Sequence, residues 1–341
     1  MSSHPQRIAI NGFGRIGQCV LRALYENGYR DDLQLVAINE LSDPETLAHL
    51  TRYDTTHGRF RGDVELDGPD LRVNGDAIRI LREASPGKLP WADLKVDLVL
   101  ECTGAFTDRA TAQLHLDQGA GRVLFSQPAE ADVDRTVVYG VNHQTLTSQD
   151  RIVSNASCTT NCAVPVIAAL DQALGILSGA ITTIHSAMND QPVIDAYHHR
   201  DLRRTRSAFS NIVPVDTGLA KGIERLLPHM QGLFSAVAVR VPTINVSAID
   251  LTLSLARDTT VEEVNRLLQE AARALPPGVM GYTHEPLASM DFNHDPRSVI
   301  VDGGHTRVSG GNMVKLFCWF DNEWGFANRM LDVARAWPQQ D

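Results

Sequence analysis

Ile8-Ala9-Ile10-Asn11-Gly12-Phe13-Gly14-Arg15-Ile16-Gly17 joins a short apolar run to a G-x-G-x-x-G turn. The residues that follow, Arg15 to Asn27, carry an apolar helical period that Gly28 stops. Strand, glycines and helix therefore occur in that order. The glycines allow a tight turn and a close approach of backbone to a pyrophosphate, which then sits at the helix N-terminus. The next apolar run, Leu33 to Asn39, is a second strand and is followed by Glu40. A carboxylate there accepts hydrogen bonds from both hydroxyls of an adenosine ribose and repels a 2′-phosphate. The expected cofactor is NAD rather than NADP, with Gly12, Gly14, Gly17 and Glu40 in its site.

Outward from this stretch, strands and helices keep alternating. Asp43 caps a helix whose first residue is Pro44. Asn74-Gly75 is a hairpin turn between Leu71–Val73 and Ala77–Ile80. Val96 to Leu100, Arg122 to Phe125 and Thr136 to Tyr139 read as further strands, and such alternation implies a mostly parallel sheet covered on both faces. Beyond residue 157 the character changes. An apolar helix is followed by longer, β-branched strands at Ala180–Ile184, Ser235–Val241, Asn245–Leu255, Ser298–Val301 and Asn312–Phe320, with a helix at Thr260–Leu275. The fold expected is α/β: an N-terminal Rossmann-type parallel sheet over residues 1–157 and a second, α+β catalytic domain of mostly antiparallel sheet over 158–323. A final helix, about 324–337, is expected to dock back on the first domain.

The 341 residues suffice for two such cores, and 43% hydrophobic with 21% charged residues is a globular composition. A net charge of −10 speaks against nucleic acid or an anionic membrane as a standing partner. The start lacks the apolar core of a signal peptide, and no stretch is long enough to span a bilayer. Five scattered cysteines fit reduced thiols in the cytoplasm, and no Cys/His spacing matches a zinc site, so no metal is expected.

One of the five has an unusual setting. Ser154-Asn155-Ala156-Ser157-Cys158-Thr159-Thr160-Asn161-Cys162 lies between the strand Arg151–Val153 and the apolar run Ala163–Leu170. Cys158 falls on the first turn of a helix, where unpaired N–H groups and the helix dipole lower a thiol pKa. Flanking Ser and Thr make poor core, so Cys158 reads as a nucleophile, whereas Cys19, Cys102, Cys162 and Cys318 sit in apolar or helical runs and read as structural. A thiolate needs an imidazole partner. His185 ends a strand and is expected to emerge at a sheet edge, and His198 and His199 read as loop residues. Arg203, Arg204 and Arg206, with Arg240 before Val241-Pro242-Thr243, are the cationic candidates for a phosphate. The irregular stretch between Asn189 and Gly218 that holds three of them is long enough to suggest function.

Asn11–Gly17, Ser157–Cys162, Arg240–Thr243 and Asp321-Asn322-Glu323-Trp324-Gly325 resemble the glyceraldehyde-3-phosphate dehydrogenase family, and the likeness runs from Arg7 to about Ala336. The resemblance implies an NAD-dependent enzyme of small phosphorylated aldehydes that assembles as a homotetramer. It implies Cys158 as nucleophile and His185 as its activator. It places Ser157, Thr159, Thr217, Gly218, Arg204 and Arg240 on substrate and phosphate positions, with Arg203 an alternative arginine. It places Arg15, Ile16, Thr103, Gly104, Ser126 and Asn322, beside Glu40, on NAD-contacting positions. Many phosphorylating members carry a phosphate-binding Thr three residues after the histidine, whereas this chain has Met188, whose thioether does not replace that contact. Ile38–Glu40, His185–Gln191, Ile212–Thr217, Asp291–Asp295 and Gly325–Arg329 are similar to the family's branch that acts on erythrose 4-phosphate. A rearranged phosphate pocket around Met188 is the expectation that follows.

Overall fold

The first strand, Gln6–Asn11, lies at the centre of a nine-stranded sheet. From it the chain winds through Leu33–Asn39 to Asp76–Leu81 on one side. On the other side come Leu98–Glu101, Arg122–Phe125, Ile152–Ser154 and Arg135–Thr136, all in parallel pairing. Every residue of Leu98–Glu101 and Arg122–Phe125 is buried, as strands covered on both faces require. The winding reverses between Gln6–Asn11 and Leu98–Glu101. The crevice above their carboxyl ends is where an open α/β sheet binds its ligand.

The structure is a computed structural model that describes residues 4–198 and 201–338. Two compact units divide the chain, Met1–Ser157 with Phe326–Asp341, and Cys158–Gly325. In the first unit the helix Arg15–Glu26 begins directly after the glycine turn, and Asp43 caps the Pro44–Arg52 helix by accepting from Thr46 N–H. Asn74 and Gly75 both take positive φ, 49° and 88°, the pair that a two-residue hairpin turn demands. The helix Trp324–Ala336 contributes its length from Phe326 onward to this unit. There Asn27 Nδ2 donates to Asn328 Oδ1 at 2.6 Å, and Tyr29 OH donates to Asp332 Oδ1 at 3.0 Å.

The expected strand Thr136–Tyr139 is cut short, with only Arg135–Thr136 pairing. Asn142 is the cause: its Oδ1 accepts the N–H of Val138 and its Nδ2 donates to the carbonyl of Thr136. A local turn thus replaces the ladder.

The second unit holds a mixed sheet of eight strands. Among the described residues, five of its seven strand pairings are antiparallel. Its long strand Ile176–His185 runs between Phe234–Arg240, parallel, and Ser247–Leu255, antiparallel. The expected start of the latter at Asn245 moves to Ser247 because Val246 adopts a left-handed φ of 62°. The helix Cys158–Leu174 packs against this sheet and against the helix Val261–Ala274.

Gly12 shows how tightly the first unit is closed. Its φ is 92°, and a Cβ there would lie 2.6 Å from the backbone nitrogen of Thr103. Gly12→Ala is therefore expected to lower stability by about 2 kcal/mol or more, read as a lower urea midpoint at unchanged slope.

Candidate active site

The crevice of the first unit is built around one buried carboxylate. Glu101 closes the strand Leu98–Glu101 at 1% exposure. Asn11 Nδ2 donates to its Oε2 at 2.6 Å, and the N–H of Thr103 to Oε1 at 2.9 Å, with the Thr103 hydroxyl on the same oxygen. Trp91 Nε1–H donates to His115 Nδ1 at 2.9 Å. An indole N–H only donates, so His115 is neutral with its proton on Nε2, which faces Glu101 Oε2 at 3.2 Å. Every partner is a donor, the condition on which a buried carboxylate is tolerated. This hub fixes the loop that presents Thr103 and Gly104, both exposed.

Against that loop stands the glycine turn. Gly17 is obliged to be glycine because a Cβ would lie 2.3 Å from the carbonyl oxygen of Gly12. Gly14 has no atom within 4 Å of a built Cβ, and it precedes a twelve-residue helix with no side-chain cap and no acidic residue in its first turn. Open space at Gly14 and a positive, uncapped helix end fit a pyrophosphate. Glu40 Oε2 accepts from Phe13 N–H at 2.8 Å and Oε1 from Leu41 N–H at 2.7 Å, which orients the carboxylate while leaving lone pairs for ribose hydroxyls. Arg15 reaches Asp54, which burial would raise but which the Arg15 bond and the His57 amide hold at about 2. Ile16 follows Arg15 in the first turn of the helix, and Ser126 N–H donates to the carbonyl of Glu101 at 3.0 Å. The residues present thus fit a dinucleotide.

In the second unit the expected nucleophile and its expected activator meet. Cys158 is the first residue of its helix and the one cysteine of the five that is half-buried rather than fully buried. The turn before it runs through Ala156 at a left-handed φ of 55°. His185 is the last residue of Ile176–His185, and its Nε2 lies 3.8 Å from Cys158 Sγ. His185 Nδ1 is 2.8 Å from the carbonyl of Ser186. A carbonyl only accepts, so the proton sits on Nδ1 and the bare Nε2 faces the thiol as a base. The expectation of a sheet edge does not hold: the strand is interior and His185 is only 9% exposed.

The electrostatics also correct the expected low thiol pKa. Burial pushes the Cys158 thiol up, against the pull of the Thr159 hydroxyl and of the Thr159 and Cys158 amides at the helix start. Burial likewise pushes His185 down, opposed by the bond to Ser186 and helped by Arg240. Each group alone is held neutral. Charge separation is open to them as a pair, by transfer of the Sγ proton to Nε2.

Arg240 lies in register beside His185 on the parallel neighbour strand and is 6% exposed. Its Nη1 is 2.5 Å from Asp190 Oδ1, and Arg204 Nη1 is 2.9 Å from Asp190 Oδ2. Arg204 and Arg240 are therefore brought together, whereas Arg203 is exposed in the short helix Leu202–Thr205. Ser157 and Thr159 flank the thiol, with Thr159 Oγ1 3.9 Å from Sγ. Thr217 and Gly218 stand at the start of the helix Leu219–Leu226, where Thr217 Oγ1 accepts from Leu219 N–H at 3.3 Å. His198 lies in a loop as expected, and His199 lies outside the described residues.

Three features escaped the sequence reading. Met188 is 47% exposed, and the residue that meets the arginines is Asp190, two positions on. Ser186 and Ser247 both donate to Asn322 Oδ1, at 3.0 and 2.8 Å, and fix that amide. A single serine after His185 gives no sign of this, because its partners are 61 and 136 residues away.

Two measurements test these placements. Gly14→Ala is expected to fold with stability within about 0.5 kcal/mol of the parent, yet to bind NAD far more weakly, since the methyl group occupies space for the pyrophosphate. Equilibrium unfolding and fluorescence titration separate the two effects. His185→Asn removes the proton acceptor, so the pH profile of Cys158 alkylation moves to higher pH, and an unchanged profile counts against the pairing.

Residues 6–109 match the NAD binding domain of glyceraldehyde 3-phosphate dehydrogenase, and residues 157–322 match its C-terminal domain. The matched ranges include the glycine turn and Glu40 in the first and Cys158, His185, Arg204 and Arg240 in the second. The chain belongs to the glyceraldehyde-3-phosphate dehydrogenase family of NAD-dependent oxidoreductases.

Proposed function

We propose that the protein oxidises D-erythrose 4-phosphate to 4-phosphoerythronate through a Cys158 thioester that water releases, a step that supplies pyridoxal 5′-phosphate biosynthesis. The observation that carries the chemistry is the bare His185 Nε2 at 3.8 Å from Cys158 Sγ, with Arg240 in register beside it. The sugar is proposed from the stretches similar to the erythrose 4-phosphate branch.

Nε2 takes the Sγ proton and the thiolate adds to the aldehyde carbon. The imidazolium N–H and the Cys158 backbone N–H stabilise the oxyanion that forms. When bound, NAD accepts the hydride that leaves this carbon, and a thioester on Sγ remains. Nε2, its proton released to solvent, then removes a proton from water, whose oxygen attacks the acyl carbon and displaces Sγ. Arg204 and Arg240 hold the phosphate of the substrate, with Ser157, Thr159, Thr217 and Gly218 around it and Arg203 as the alternative arginine. Gly12, Gly14, Arg15, Ile16, Gly17, Glu40, Thr103, Gly104, Ser126 and Asn322 hold the dinucleotide.

A cytoplasmic homotetramer completes the proposal. Val193, Ile194, Tyr197, Leu202 and Ile212 are each more than half exposed, Tyr197 wholly so, in one segment of the second unit. Apolar side chains gathered in this way mark a surface that a partner covers. No helix among the described residues is long and apolar enough to cross a membrane.

Steady-state assays with both aldehydes at varied inorganic phosphate test the substrate. Preference for erythrose 4-phosphate without phosphate stimulation is expected. Preference for glyceraldehyde 3-phosphate with a phosphate requirement would establish the alternative, a phosphorylating glycolytic enzyme. Cys158→Ala is expected to be inactive on either, and His185→Asn to lose about 10²–10⁴-fold in rate. For the assembly, Ile194→Asp with Tyr197→Asp is expected to shift a sedimenting tetramer to smaller species, and a monomeric parent would refute it.

A further inference from the structure

Asp190 has an unexpected place for an acid. Its Oδ1 lies 2.5 Å from Arg240 Nη1, and its Oδ2 lies 3.3 Å from Arg240 Nη2 and 2.9 Å from Arg204 Nη1. The same two guanidinium groups are the ones proposed to hold the substrate's phosphate. Arg204 is shared further, its Nε standing 3.3 Å from Asp201 Oδ2. Arg240 is almost fully buried, and Asp190 is the acidic group that balances it.

A carboxylate and a phosphate ask for the same fork of N–H donors. A phosphate can bind this pair only by displacing Asp190 or by sharing the donors with it, at close range to a like charge. Two anions face different prospects. Free inorganic phosphate has to overcome this competition with its own contacts alone. A phosphate carried on a sugar whose aldehyde carbon is engaged at Cys158 meets the arginines intramolecularly, at a high effective concentration.

We propose that Asp190 is a built-in competitor that specifies the anion: it yields the Arg204/Arg240 pair to a tethered sugar phosphate and denies it to free inorganic phosphate. The inference rests on the reading that these arginines take a phosphate group, and it deepens that reading by giving a reason for water to be the acyl acceptor. A thioester with no orthophosphate held nearby is attacked by water, and the products are a carboxylate and the regenerated thiol. Asp190 acts through the arginines and is a positioning residue.

The test is calorimetric titration of inorganic phosphate into the full-length protein as parent, Asp190→Asn and Asp190→Glu, with thermal melting as the check on folding. Asp190→Asn keeps shape and removes the charge, so phosphate affinity is expected to rise by about tenfold. Asp190→Glu restores a competing carboxylate and is expected to return affinity toward the parent. Asp190→Asn combined with Arg240→Met is expected to lose the gain, which places the ion on the pair. In kinetics the Asn variant should show a lower inhibition constant for phosphate against the sugar phosphate, with KM changed more than kcat. Unchanged or weaker phosphate binding in a folded Asn variant overturns the proposal. The two readings fail separately: a protein that oxidises no aldehyde, yet gains phosphate affinity on loss of Asp190, refutes the proposed substrate and leaves the competitor role standing.

Discussion

One hydrogen bond governs what the Cys158–His185 pair can do, the 2.8 Å contact between His185 Nδ1 and the carbonyl of Ser186. Were the proton on Nε2 instead of Nδ1, an N–H would face Cys158 and no base would be present. The bond depends in turn on Ser186, whose N–H donates to Ser247 Oγ at 3.1 Å and whose hydroxyl donates to Asn322. His185 is thus held by a chain of small polar groups, one just past the end of its own strand, one at the start of Ser247–Leu255 and one in the segment before the last helix. Burial keeps both partners of the pair neutral, so the site stores a proton to be moved and not a charge to be screened.

The basic pocket follows a similar economy of placement. Parallel pairing of Ile176–His185 with Phe234–Arg240 sets Arg240 in register with His185, so a strand register fixes the spacing between the proposed base and the proposed anion site. Such spacing is rigid, since a slip of one residue would turn Arg240 to the other face of the sheet.

Much of this was legible in the chain. The glycine turn, Glu40 and the strand–helix alternation rest on local chemistry, and the structure has the strands and helices that chemistry dictates. The place of Cys158 at the start of a helix was legible from the polar run that leads into an apolar one. The short strands Val64–Asp67 and Met280–Thr283 were not, since four residues are too few to set a period and their pairing is decided by neighbours. Thr136–Tyr139 had strand composition, but the side chain of Asn142 competed for its backbone. Asp190 was passed over because an acid in a loop reads as solvated, and its arginine partners lie 14 and 50 residues away.

The Glu101 hub has a consequence for how this sequence is able to drift. Asn11, Thr103 and His115 converge on one carboxylate, and His115 is itself fixed by Trp91. Replacing Glu101 alone strands three sets of donors, and replacing any donor alone leaves part of a buried charge unanswered. No single substitution is a downhill path to a different arrangement. These five positions, scattered over more than a hundred residues, therefore behave as one heritable unit, kept or exchanged together.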